Sequence, residues 1–337
     1  MSLKKISAFS LKTLVLSVAM LIVMVTVSGF AVPTETTQTA SQNSGTIFLR
    51  LFIVNLANAL LINLVVTQTR WRGWPLMLGL SFAFYGVQTI IGQIEAIVFL
   101  TPLGELWGAG SIPVLTMPPN FILGQFIVGA ALAAIGVPLS VLFFRKRKRG
   151  DQPMLNTLIP KMGTEQWLIK IGLIIVLYVA LYFGFGYFVA WKNPAVQAFY
   201  QGTDPGSFLA QMRNVATETP TLIPFQALRA LLWIVFALPI IRMLRKNGLW
   251  GALLTGLFIS LPMNIPHIVP NPFMPPDVRT VHFIETVPST FIFGMLLFWL
   301  LHRPHRSVKE LFSVPFTRRK RRHRVSVEKV EDVQTTP

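Results

Sequence analysis

The stretch NFILGQFIVGAALAAIGVPLSVLFFRKRKR, Asn120–Arg149, decides the fold of this chain. Between residues 121 and 144 it carries no charged side chain, and five consecutive basic residues follow. A helix needs about 20 apolar residues to cross roughly 30 Å of hydrocarbon. Basic residues at the end of such a segment mark the cytoplasmic side of the membrane. The stretch therefore predicts a transmembrane helix that ends in the cytoplasm.

The same apolar pattern recurs along the whole chain. Of its 337 residues, 53% are hydrophobic and 13% are charged, whereas soluble domains carry about 25% charged residues. A backbone surrounded by lipid must satisfy its own hydrogen bonds, so each span must be helical. We predict an all-α, polytopic integral membrane protein that contacts the lipid bilayer. Its eight transmembrane helices are expected at approximately 11–31, 47–67, 75–100, 121–144, 167–190, 224–243, 249–265 and 281–301.

The positive charge is distributed unevenly between the loops. The net charge is +17, and 24 of the 30 Lys and Arg residues fall at the termini or in every second connection. This alternation follows the positive-inside rule. It predicts a multi-pass protein of a prokaryotic-type plasma membrane, with the N and C termini both in the cytoplasm.

The basic tail RRKRRHR, Arg318–Arg324, has two interpretations. Such a run can bind nucleic acid, or it can be attracted to the headgroups of anionic lipids. No interleaved aromatic residues and no groove-reading motif accompany it. We therefore predict no nucleic-acid partner, and we expect anionic lipid at the tail and at the basic inner loops.

The first span also has two interpretations. Its basic start, its apolar run and the small residues of Gly29-Phe30-Ala31 are compatible with a cleaved signal peptide. We favour an uncleaved anchor, and the orientation of the other seven spans is the same in either case. The chain contains no cysteine, which excludes disulfides, thiolate metal sites and cysteine nucleophiles.

Landmarks that recur in the same order indicate an internal duplication. Each half of the chain has four spans and begins and ends on the cytoplasmic side, so the repeat is expected to be parallel. The prolines stiffen the start of the helix that follows, which we expect Asn120 and Asp277 to cap. The matched landmarks are Leu49-Arg50 and Leu228-Arg229, Gly73 and Gly248, and the Met-Pro-Pro motifs Met117–Asn120 and Met274–Asp277.

The duplication divides the chain into four parts. Residues 1–149 form the first four-helix repeat and residues 150–166 a cytoplasmic linker. Residues 167–306 form the second four-helix repeat, and residues 307–337 form a basic cytoplasmic tail, which we expect to be disordered.

Polar side chains in two spans recur at intervals of three and four residues, which places them on one helical face. Polar stripes in a membrane avoid lipid and face the bundle interior or a water-filled cavity. We therefore predict a polar pocket in the outer half of the membrane, with Arg50 and Arg229 in its lining. The stripes comprise Ser81, Tyr85, Gln88, Gly92 and Glu95 in the third span, and His282, Glu285, Thr286 and Ser289 in the eighth.

These groups also permit two other interpretations. The two arginines can pair with Glu95 and Glu285 and fix the register of the helices, without any ligand. His282 and Glu285 lie one helical turn apart and could hold a metal with Glu95 or His267 as a third ligand. The pattern His-x-x-Glu is common by chance, and the complete zinc-protease motif is missing. We therefore assign no metal, and neither a cofactor nor an oligomeric state follows from the sequence.

Three functions are compatible with this reading. The first is binding or transport of a small or amphipathic ligand in the polar pocket. The second is a membrane-embedded enzyme for a lipid-like substrate, in which Glu95 and Glu285 act as acid and base and His282 as ligand or proton carrier. The third is a structural or assembly subunit without a ligand.

Overall fold

A computed structural model describes residues 3–31, 44–101, 119–147, 162–200, 202–244, 248–271, 273–305 and 307–311. The basic run Arg318–Arg324, most of the predicted linker and the first Met-Pro-Pro motif up to Pro118 lie outside the described residues. The prediction that the basic tail is disordered therefore stays untested.

The described residues form eight long apolar helices and no β-strand, which confirms the prediction of an all-α polytopic membrane protein. The helices begin or end within a few residues of the predicted bounds, except that the first starts at Leu3 and the last at Pro276. They are α1 Leu3–Ala31, α2 Ser44–Gln68, α3 Gly73–Leu100, α4 Pro119–Phe143, α5 Thr164–Ala190, α6 Leu222–Met243, α7 Leu249–Ile268 and α8 Pro276–Leu301.

Two helices begin at the second proline of a Met-Pro-Pro motif, α4 at Pro119 and α8 at Pro276. Proline suits the first helical position because its missing N–H would have no partner there. The predicted capping by Asp277 is wrong, since Pro275 occupies the N-cap position and Asp277 lies in the first turn. In the first turn its carboxylate interacts favourably with the positive end of the helix dipole.

Contacts between helix termini define two ends of the bundle. At the basic end, the backbone N–H of Gly73 donates to the carbonyl of Lys146 over 2.8 Å. At the opposite end, which we call the Met-Pro-Pro end, the ring centroids of Phe121 and Phe273 lie 5.0 Å apart. The candidate site described below lies at the Met-Pro-Pro end.

The helices pack in a network with α3, α6, α7 and α8 at its centre. Helix α1 packs on α2 and α4, α5 packs on α6 and α8, and α3 contacts both α4 and α6. The tightest crossing joins α7 and α8, where a Cβ added to Gly294 would lie 2.8 Å from the Cα of Gly256. Small residues at such crossings let two helix backbones approach closely. The largest buried side chains of the central helices are Phe84, Trp233, Phe258 and Phe293.

Helix α1 is joined to the bundle by a buried hydrogen-bond network. The amide of Asn63 donates to Thr13 Oγ1 over 3.0 Å, and Ser140 Oγ donates to Asn63 Oδ1 over 2.6 Å. The network links α1, α2 and α4 inside the protein. Polar residues of α2 thus connect helices, as interhelical hydrogen bonds commonly do in membranes.

Candidate functional site

A buried ion pair joins α6 to α3. The Arg229 side chain is 4% exposed, and its two terminal nitrogens donate to the two oxygens of Glu95 over 3.1 and 2.7 Å. A third hydrogen bond of 2.9 Å runs to Gln226 Oε1. Two-point pairing of this kind fixes the relative orientation of both side chains.

Aromatic rings enclose the guanidinium of Arg229. Its central carbon lies 5.9 Å from the ring centroids of both Tyr178 and Tyr182, and 5.8 Å from that of Phe225. At these distances the negative faces of aromatic rings attract a cation. The ion pair is thus shielded on the α5 side by two tyrosines.

A chain of hydrogen bonds lies on α8 and on the segment after α5. His282 Nδ1 lies 2.9 Å from Glu285 Oε2, and His282 Nε2 lies 3.0 Å from the hydroxyl of Tyr200. An ionised carboxylate only accepts, so Nδ1 of the histidine carries the proton. In the neutral ring Nε2 is then an acceptor, to which Tyr200 donates. The chain therefore runs from Tyr200 through His282 to Glu285.

Both carboxylates influence Tyr200. Burial raises the pKa of the Tyr200 hydroxyl, and the charges of Glu95 and Glu285 raise it further. A hydroxyl with a raised pKa keeps its proton and acts as a donor. Because one phenol senses both carboxylates, the ion pair and the hydrogen-bond chain belong to one region at the Met-Pro-Pro end.

Two π-helical turns shape the helices that carry or contact the site. One lies in α3 at Gly86–Ile90 and the other in α5 at Gly186–Ala190. A Cβ added to Gly186 would lie 3.5 Å from Glu285 Oε1, so the second turn contacts that carboxylate. Such turns are rare and are found frequently at functional sites.

The π-turn of α3 breaks the polar stripe predicted for that helix. Ser81, before the turn, donates to the carbonyl of Ala133 on α4, whereas Glu95, after it, pairs with Arg229 on α6. A π-turn holds one residue more than an α-turn and shifts the register by roughly 100°. The prediction of one continuous face, which assumed α-helical geometry throughout, is therefore wrong.

The remaining predicted site residues have separate positions. Tyr85 and Gln88 are half-buried, deeper along α3 than Glu95, and Gln88 accepts a hydrogen bond from the neighbouring Thr89 over 2.9 Å. Ser289 is buried on the face of α8 that carries Glu285, and its hydroxyl donates to the carbonyl of Thr286. The stripe predicted for α8 is thus partly buried, as a face toward the bundle interior would be.

Arg50 does not join the central ion pair. Its guanidinium donates to the carbonyl of Ile268 over 3.0 Å, at the end of α7 where Arg279 donates to Val269. Cations favour the carbonyl-rich end of a helix. Of the two ion pairs considered from the sequence, only the pair of Arg229 and Glu95 is formed, and Glu285 contacts His282 instead.

A metal site is not assembled in the part of the chain that the structure describes. No three His, Asp or Glu side chains there come together in a group that could hold an ion. Glu95, the third ligand considered from the sequence, pairs with Arg229. The ring centroid of His267 lies 6.5 Å from that of His282, but His267 Nδ1 bonds to the carbonyl of Asn264.

Sequence reasoning missed Tyr200 because it searched only the apolar spans. The residue follows the short helix Pro194–Phe199, whose N-cap Asn193 accepts a hydrogen bond from Ala195 N over 2.9 Å. The dipeptide Asn193-Pro194 was a usable signal, since a capping residue followed by proline marks a helix start. That short helix brings the phenol to His282.

The site combines a fixed cation, two carboxylates, a histidine and several phenols at one end of a membrane bundle. This set can orient a polar group of a ligand, and its histidine can accept or release a proton there. Comparisons of the chain with protein-family models, with curated proteins and with solved structures give no match.

Proposed function

We propose that this integral membrane protein binds a small or amphipathic ligand at the Met-Pro-Pro end and moves it across or within the membrane. The observation that carries the proposal is that the Arg229–Glu95 pair and the Tyr200–His282–Glu285 chain both lie at the Met-Pro-Pro end, where the carboxylates of both act on Tyr200. Ionisable groups within a bilayer cost about 2.5–3.5 kcal/mol each on insertion scales. A bundle held only by packing needs few of them, whereas a ligand site needs several together.

The Met-Pro-Pro end is proposed to face outward, in the outer half of a prokaryotic-type plasma membrane. Arg70, Lys146 and Arg242 lie together at the opposite end, where Arg70 donates to the carbonyl of Arg242 over 3.0 Å. Positively charged loops stay in the cytoplasm. This orientation makes the site accessible from outside and leaves both termini inside.

We also propose the 4 + 4 repeat, which is supported by similar contacts of the second helix in each half. Arg50 on α2 bonds to the end of α7, and Arg229 on α6 bonds to the end of α3. Gly73 and Gly248 both have a positive φ, of 60° and 97°, before the third helix of each half. A twofold axis along the membrane normal would exchange the two halves. It would place the bond of Arg50 on that of Arg229, and Gly73 on Gly248.

Mass spectrometry of material that co-purifies with the protein tests ligand binding. We expect wild-type protein in detergent to release a small molecule or lipid in near-stoichiometric amount, and the Glu285→Gln variant to release less than a tenth of it. Glu218→Gln is the matched control, since Glu218 is exposed on the connecting helix Phe208–Glu218. Equal release from all three proteins would refute the placement of the ligand at Glu285, and no enriched compound in any of them would refute binding and favour a purely structural subunit.

A second candidate is a membrane-embedded enzyme acting on a lipid-like substrate. The hydrogen-bond chain favours it, because a histidine held between a hydroxyl and a carboxylate can carry a proton in general acid–base catalysis. Glu95 is less suited to the role of free base because Arg229 binds both of its oxygens. His282 is therefore the group expected to exchange a proton with a substrate, and Tyr200 is the positioning residue that orients its ring.

The Tyr200→Phe variant separates the two candidates. It removes the hydroxyl that orients His282 and keeps the ring, so an enzyme should accumulate its substrate, visible in whole-cell lipid extracts, while still binding it. A binding or transport protein should release the same compound from Tyr200→Phe as from wild type, with lipid extracts unchanged. A lipid profile that is identical in wild type, Tyr200→Phe and a deletion strain would eliminate the enzyme.

A further inference from the structure

A second cluster of charged groups lies at the basic end of the bundle, opposite the Met-Pro-Pro end where the candidate site lies. Lys170, in the second turn of α5, is 2% exposed. Its ammonium donates to the carbonyl of Arg303 over 3.0 Å and lies 3.2 Å from the sulfur of Met162. The carbonyl oxygen and the sulfur are both neutral atoms. In the described residues no carboxylate lies within ion-pair distance of this ammonium. Among the described residues, Lys170 is therefore a buried charge without a counter-charge.

The residues after α8 add unpaired donors beside this lysine. His305 is 7% exposed, and neither of its ring nitrogens has a hydrogen-bond partner. The Nε of Arg303 also lacks one, although another nitrogen of Arg303 lies 3.9 Å from Glu310. Buried polar groups are nearly always hydrogen-bonded, and each one left without a partner destabilises the folded chain.

The charges of the cluster do not balance. Lys170 and Arg303 contribute two positive charges, and Glu310 contributes one negative charge. Glu165, in the first turn of α5, is exposed. A positive excess made of a buried lysine and a partly exposed arginine, with unpaired polar groups beside them, matches a missing acceptor that carries negative charge.

We propose that this cluster binds a phosphate group, supplied by the headgroup of an anionic lipid. A phosphate accepts several charge-assisted hydrogen bonds at once, so it can satisfy Lys170, Arg303 and His305 together. The cluster lies where α5 begins and α8 ends, which is headgroup depth for a spanning bundle. The site is specific, in contrast to the diffuse attraction between basic loops and an anionic surface.

Burial and the positive charges of Lys170 and Arg303 lower the pKa of His305 to about 4. The ring is therefore neutral at pH 7 and carries one N–H, which can donate to a phosphate oxygen. A bound phosphate would also oppose the charges that depress this pKa.

Thermal unfolding in mixed micelles tests the proposal. Wild-type protein in a neutral detergent is titrated with phosphatidylglycerol, with phosphatidylcholine or with inorganic phosphate. We expect phosphatidylglycerol at about a hundredfold excess over its Kd to raise Tm by about 4 °C. Phosphatidylcholine should raise it by less than about 1 °C. A rise with inorganic phosphate equal to that with phosphatidylglycerol would support the anion site and assign it to the free ion.

Three variants distinguish the site from general surface charge. Lys170→Gln and His305→Gln should lose most of the rise, whereas Arg147→Gln, which removes an exposed charge at the same end, should keep it. Lys170→Gln should not be less stable than wild type without anionic lipid, because it removes an unpaired buried charge. If it does not fold, His305→Gln carries the test alone. A full rise in His305→Gln, or an equal loss in Arg147→Gln, would overturn the proposal.

Discussion

Replacement of Glu95 by Gln tests how Arg229 is held in the bundle. The guanidinium would stay buried with its bond to Gln226 and with three rings around it, but without a counter-charge. Breaking a buried ion pair in this way costs about 3–5 kcal/mol. Because the Glu95 side chain is 31% exposed, we expect the lower end of this range, about 3 kcal/mol.

The reverse change is expected to cost less. In Arg229→Met the carboxylate that remains can be hydrated through its exposed third, so we expect a loss of about 1–2 kcal/mol. The double variant leaves no unpaired charge and should lose about 2 kcal/mol. The coupling energy between the two positions is then on the order of 2–3 kcal/mol.

The free energy of unfolding is to be measured for the four proteins by titration with dodecyl sulfate in mixed micelles. Glu218→Gln, an exposed glutamate at the same end of the bundle, is the control and should change stability by less than about 0.5 kcal/mol. If Glu95→Gln costs no more than this control, or if the single losses simply add in the double variant, the ion pair does not hold Arg229 in the manner described.

Three further predictions concern other parts of the bundle. The pKa of His305 is about 4 in the folded chain and about 6.5 in the unfolded chain. At pH 5 the His305 ring is therefore protonated only in the unfolded chain, and the free energy of unfolding should fall by about 2 kcal/mol from pH 7 to pH 5. Thermal unfolding across that window should show a smaller fall in His305→Gln, and an unchanged fall contradicts the assignment. Gly294→Ala should lose about 1–3 kcal/mol by overpacking at Gly256, whereas Gly172→Ala, whose added Cβ meets nothing within 4 Å, should lose none. Asn63→Leu should lose about 1–2 kcal/mol in the same dodecyl sulfate titration, since the Ser140 hydroxyl loses its acceptor and the Thr13 hydroxyl loses the amide that donates to it but keeps its bond to the Phe9 carbonyl; stability equal to wild type would show that the network does not hold α1.

The spans could be predicted because each one is a long apolar segment with polar ends. Hydropathy needs no knowledge of neighbouring helices, and the Met-Pro-Pro motif marks the start of α8 through the chemistry of proline alone. The first helix extends eight residues before its predicted start because Lys4 and Lys5, which interrupt the apolar run, do not interrupt the helix. Charged residues can continue a helix beyond the hydrocarbon layer.

The site was predicted less completely, for two physical reasons. Spacing on an ideal α-helix cannot reveal a π-turn, so the residues before and after Gly86–Ile90 were placed on one face. Which side chains pair depends on how the helices pack, and spacing along the sequence does not show this. In the structure Glu285 bonds to His282, and Arg50 bonds to a backbone carbonyl. The ionisable residues themselves were identifiable, since charge within an apolar span is conspicuous.

The change of direction along α3 has a consequence for how the chain can be divided. Ser81 bonds to a helix of the first four, and Glu95 bonds to a helix of the last four. One helix therefore supplies contacts to both quartets. A fragment that contained only the second quartet would insert Arg229 into the membrane without Glu95, which lies on the other fragment. Neither fragment is therefore expected to fold stably by itself.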